Sequence, residues 1–104
     1  MDYAWEKLHT AVLGIARSDD SLQVRLAYAY IGGLINIRPE ETLPENLRPN
    51  MAEIHAAFRT HEAKGDEGGA MASALAMSDE DARATIEKIV ILYDEIAQRS
   101  PFRR

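Results

Sequence analysis

His9, His55 and His61 are the side chains of this chain best suited to move a proton or hold a metal, because imidazole changes charge near neutral pH. The 104 residues include no cysteine, which removes thiolate zinc sites, cysteine nucleophiles and disulfide scaffolds together. The histidines lack metal-ligand spacing to one another, with no His-x-x-x-His pair, so no metal and no cofactor is expected. His61 falls near the apolar stripe of its helix and reads as a packing residue. His55 falls on a flank of that helix, sharing it with Glu62 and standing four residues before Arg59, which reads as a solvent-facing edge.

Arg48 and His55 stand at the start of that same helix with six residues between them. In this spacing the chain resembles small helical ribonucleases of the HEPN class, in which an Arg is followed a few residues later by a His and both face the RNA. The resemblance implies cleavage of single-stranded RNA with Arg48 and His55 as the catalytic pair. It is confined to these two residues, and Pro49 stands where that family usually places a polar residue. A formal charge of -5, from 12 Lys and Arg against 17 Asp and Glu, opposes any nucleic-acid partner by general repulsion.

Other constellations have simpler physical accounts. The glycines of KGDEGG lack both the preceding strand and the Lys-Ser/Thr ending of a phosphate loop. Asp79, Glu80 and Asp81 face the positive end of a helix dipole, and Asp94 with Glu95 belongs to a solvated face. Tyr28 and Tyr30 are candidates to line a pocket for a small apolar ligand between helices.

These residues must be positioned by helices, since no run alternates apolar and polar residues over strand length. Trp5, Leu8, Val12 and Ile15 keep the helical period and predict a first helix over 3–17. Asp20 with Gln23 has the form of a capping box opening a second helix over 21–36, which Pro39 closes, leaving 38–42 as a turn. Thr42 with Glu45 opens a short helix over 43–48 that Pro49 interrupts. Asn50 with Glu53 then opens a third long helix over 50–63, carrying Met51, Ile54, Phe58 and His61 on one stripe. A flexible loop over 64–69, a short alanine-rich helix over 70–77 and a last long helix to Arg99, capped by Ser78, complete the order, with a frayed tail at 101–104. The expected fold is all-α: one domain, a compact antiparallel bundle of four main helices plus two short helical segments.

The second helix carries two nearly opposite apolar faces, Leu22, Leu26, Ala29, Gly33 and Ile37 on one and Val24, Tyr28, Ile31 and Ile35 on the other. Ala29 and Gly33 leave room for a close helix neighbour, and Gly32 and Gly33 each cost about 1 kcal/mol relative to alanine within a helix. In the last helix Ile91 lies opposite the stripe of Ile86, Ile89 and Tyr93; either the 70–77 segment covers it or it is exposed. This surplus predicts protein–protein interaction by a small regulatory or accessory protein, through Tyr28, Gly32, Gly33 and Ile91, with a homodimer or another protein as partner. No membrane partner is expected, because the longest uncharged run, 26–37, is shorter than the roughly 17–25 residues of a spanning helix. The amino-terminal MDYAWEKLHT has no long apolar stretch behind it, so it does not read as a secretory signal and a cytoplasmic location is expected.

Overall fold

The computed structural model describes residues 2–62 and 68–99, and among them the chain is all-α with no strand. Its helices are α1 (Asp2–Arg17), α2 (Leu22–Gly32), α3 (Pro39–Thr42), α4 (Arg48–Ala57), α5 (Gly69–Leu75) and α6 (Asp79–Arg99), with tight 3-10 turns at Leu34–Asn36 and Glu45–Leu47. α1, α2 and α6 pack on one another, α4 packs on α6, and α5 packs on α2. Positions 64–67 of the expected loop and the 101–104 tail lie outside the described residues. Gly69, expected in the loop, opens α5.

α1 buries Ala4, Leu8, Ala11 and Ile15, spaced for one helix face, with Trp5 and Val12 on its flank. Ser21, not Asp20, caps α2: its Oγ accepts from the N–H of Val24 at 3.2 Å. Gln23, expected to complete a capping box, instead donates to the Met77 carbonyl at 3.0 Å and to Asp79 Oδ1 at 2.9 Å, fastening the start of α2 to the α5–α6 junction. α2 stops at Gly32, short of the expected 36, because the Gly32–Gly33 pair has poor helix propensity.

Three further boundaries differ from expectation. Residues 39–42 form a helical turn, and Thr42 Oγ1 donates back to the Arg38 carbonyl at 2.9 Å instead of capping a helix after it. Pro49 does not interrupt: it sits in the first turn of α4, where its missing N–H costs nothing. α4 ends at Ala57, well before 63, where Phe58 turns inward and stacks on Tyr30 with ring centroids 4.0 Å apart. α6 begins as expected, with Ser78 Oγ accepting from the Asp81 N–H at 3.0 Å, and buries Ala82, Ile89, Leu92 and Ile96. At its far end Arg99 Nη1 donates to Asn46 Oδ1 at 3.1 Å.

Candidate functional site

The two histidine assignments are reversed in the structure. His55 is only 5 % exposed. Its Nε2 lies 2.8 Å from the Ile37 carbonyl, which can only accept, so Nε2 carries the hydrogen and donates. In the neutral ring Nδ1 is then an acceptor, and the Tyr30 hydroxyl, 2.6 Å away, donates to it. Burial pushes the Tyr30 hydroxyl above its usual pKa, an effect that the guanidinium of Arg59 partly opposes. His61, past the end of α4, is exposed, and its Nδ1 is 2.9 Å from the Thr60 hydroxyl.

A ribonuclease reading needs Arg48 and His55 in one cleft with a free imidazole. Both His55 nitrogens are occupied inside the protein. Arg48 Nε donates to the Leu43 carbonyl at 3.2 Å, and Arg48 does not line the shallow depression where Arg38, Glu40 and Arg59 surround the edge of His55. The two residues are therefore not brought together as a catalytic pair. Tyr28 and Tyr30 are not brought together either: Tyr30 is 2 % exposed and stacked on Phe58, whereas Tyr28 is 63 % exposed. Tyr28 lines the space between α1 and α2 and Tyr30 a separate depression beside Phe58 and Arg59, since the two positions project to nearly opposite sides of α2.

His61, Ser73, Asp81 and Lys88 line a depression beside α5 and α6. Ser73 Oγ accepts from the His61 backbone N–H at 3.0 Å and reaches the His61 carbonyl at 3.4 Å, so it ties α5 to the backbone that follows α4 and does not meet the imidazole as a nucleophile. Glu6 and His9, three residues apart on α1, have the spacing of a carboxylate–imidazole metal pair. Among the described residues no group of three or more His, Asp or Glu side chains is placed to hold a metal ion. His9 stacks on Trp5, ring centroids 4.9 Å apart, and its Nδ1 is 3.3 Å from the Tyr93 hydroxyl.

What the fold leaves open is apolar. On α2 the face of Leu26, Ala27 and Tyr30 is buried, while Tyr28, Ile31 and, beyond it, Ile35 are exposed. On α6 Val90 and Ile91 are exposed, Ile91 at 49 %, since α5 packs on α2 and leaves it uncovered. Between α1 and α2 runs a groove of about 230 Å³, floored by Ala11, Ala29 and Gly33 and flanked by Tyr28. Lys7 lies towards one end and Arg25 towards the other. A Cβ at Gly33 would lie 3.1 Å from Lys7 Cδ, so the Lys7 side chain would have to give by a few tenths of an ångström. At Gly14 and Gly32 a Cβ would meet nothing within 4 Å, so both open directly into the groove.

Of the expected interaction residues, Tyr28, Gly32 and Gly33 are thus gathered on one groove, and Ile91 lies on α6. Lys7, Gly14 and Arg25 were not singled out by their sequence. The available signal was Gly14 itself, a glycine in the interior of an otherwise strong helix. Among the described residues no helix is long and apolar enough to cross a membrane. No protein-family model, curated protein or solved structure matches this chain.

Proposed function

We propose that this chain is a small regulatory or accessory protein that acts by association, binding further copies of itself through the outward sides of α2 and α6. The observation that carries this reading is the exposure of Tyr28, Ile31 and Ile35 on α2 and of Val90 and Ile91 on α6, although the chain has buried apolar side chains from every longer helix. Exposed apolar residues that cluster, unlike scattered ones, mark surfaces that another molecule covers. The histidine chemistry that would favour an enzyme is taken up elsewhere, His55 by the Tyr30–Ile37 network and His9 by the aromatic stack.

Light scattering coupled to gel filtration, over a hundredfold range of concentration, tests the proposal. The expected result is a mass that rises with concentration, and a lower mass for Ile31→Glu or Ile91→Glu at equal helical content. A mass that stays monomeric across the range refutes self-association.

A further inference from the structure

We infer that the α1–α2 groove receives the outer face of α6 from a second copy of this chain. The inference rests on the self-association reading and names the two surfaces that meet. The groove's volume, about 230 Å³, falls below the roughly 300–1,000 Å³ of sites that enclose a drug-sized ligand. It suits a few side chains of a helix laid along it, the mode in which anchors at helical spacing enter a groove.

Charge selects which helix. Lys7 and Arg25 have no carboxylate partner among the described residues, whose ion pairs are Arg38–Glu41 and Lys88–Glu53. The ammonium of Lys7 lies over the Tyr3 ring at 5.4 Å, and Arg25 Nε donates to the Asp20 carbonyl. Two cations beside an apolar floor, on a chain with net charge -5, call for an acidic, partly apolar helix. α6 is such a helix: Val90 and Ile91 are exposed between Glu87 and Asp94, both also exposed. Those carboxylates are seven residues apart, about 10.5 Å along the axis. Lys7, which meets Gly33, and Arg25, eight residues before Gly33 in the chain, likewise stand at separate points along the groove, as the two acids stand on either side of Val90 and Ile91.

The glycines supply an independent reason. A Cβ at Gly33 would press on Lys7, but among the described residues a Cβ at Gly14 or Gly32 would meet nothing within 4 Å. Both keep the groove deep enough for the backbone or a branched side chain of a docked helix.

The two surfaces differ, so the contact is heterologous, and a copy with a spoiled groove still offers a sound α6. The experiment uses two purified full-length variants. Gly14→Leu starts from a Cβ that meets nothing within 4 Å, projects a branched side chain into the groove and keeps a good helix former in α1. Glu87→Lys/Asp94→Lys reverses the acids of α6 at exposed positions. Sedimentation velocity is expected to show each variant at least about tenfold weaker in self-association than the wild type, and an equimolar mixture forming a one-to-one complex through the one intact pair of surfaces. Circular dichroism checks that both variants keep the wild-type helical signal. If the wild type associates and Gly14→Leu associates equally well, this pairing is overturned while self-association stands. A wild type that stays monomeric overturns both.

Discussion

Replacing Tyr30 by phenylalanine deletes one oxygen and keeps the ring that stacks on Phe58 at 4.0 Å. No cavity the size of a methyl group is made, so the cost comes from the hydrogen bond. The hydroxyl donates to His55 Nδ1 at 2.6 Å, and His55 is 5 % exposed, so the acceptor loses its partner where water cannot replace it. A buried polar atom left unsatisfied costs about 1–3 kcal/mol. At about 4–8 °C per kcal/mol for a domain near this size, the thermal midpoint at pH 7 falls by roughly 4–24 °C. Far-ultraviolet circular dichroism follows the melt, and the folded spectrum is expected to match the wild type. Alkaline pH supplies a second reading. The ordinary tyrosine value is 10.0, and burial raises Tyr30 above it in the folded state. The unfolded chain therefore releases this proton first, so the contribution is complete below pH 10.0 and is lost as pH rises through the folded value. Tyr3, Tyr28 and Tyr93 are common to both proteins, so the gap between wild type and Tyr30→Phe is expected to narrow above pH 10.0. A variant melting within 1 °C of wild type, or a gap unchanged by alkaline pH, refutes the assignment of this hydroxyl as a buried donor to His55.

Three further substitutions separate structural from surface roles. His55→Ala is expected to destabilise by about 2–5 kcal/mol, since it opens space in the core and leaves both Tyr30 and the Ile37 carbonyl without a partner, whereas His61→Ala changes stability by less than about 0.5 kcal/mol; urea unfolding of the pair checks the contrast. Gly14→Ala is expected to stabilise by about 0.5–1 kcal/mol, because a Cβ there meets nothing and alanine loses less backbone entropy in α1, and a midpoint below that of the wild type would count against the open groove.

Long elements were legible in the sequence because their apolar period and caps agree. α1 and α6 form where their periods imply, and Ser78 caps α6 as its spacing implies. The buried faces are turned slightly from the expected stripes: Ala4 and Ala11 are buried where Trp5 and Val12 were expected, and Thr85 and Leu92 where Ile86 and Tyr93 were. The two faces of α2 were legible too, and the one bearing Tyr28, Ile31 and Ile35 is the exposed one. What misled was extrapolating a period past the end of the helix. A helix continued to 63 puts His61 on the core stripe and His55 on its flank. α4 ends at Ala57, with Phe58 at φ -100 and ψ 12, so that geometry does not hold for His61. His55 is drawn in by two polar atoms supplied from other segments, the Tyr30 hydroxyl and the Ile37 carbonyl, and nothing local to α4 announces them. The groove cations were hidden for a related reason: Lys7 and Arg25 become neighbours of one apolar surface only when α1 and α2 pack together.

The charge balance gains meaning from this placement. A net charge of -5 spread evenly would oppose association between copies. Here the outer face of α6 sets Glu87 and Asp94 beside Val90 and Ile91, whereas the α1–α2 groove offers two cations over small residues. An encounter between unlike patches then gains attraction, while α6 against α6 sets acid against acid and groove against groove sets cation against cation. The same residues that favour the heterologous pairing thus disfavour both symmetric ones. Screening weakens this discrimination, since exposed charges lose reach as the Debye length contracts from about 10 Å at 0.1 M to about 3 Å at 1 M salt. Association through the groove is accordingly expected to weaken on raising salt over that range. Contact through Tyr28, Ile31 and Ile35 alone, being apolar, would hold or strengthen, and sedimentation at the two salt concentrations tells these apart.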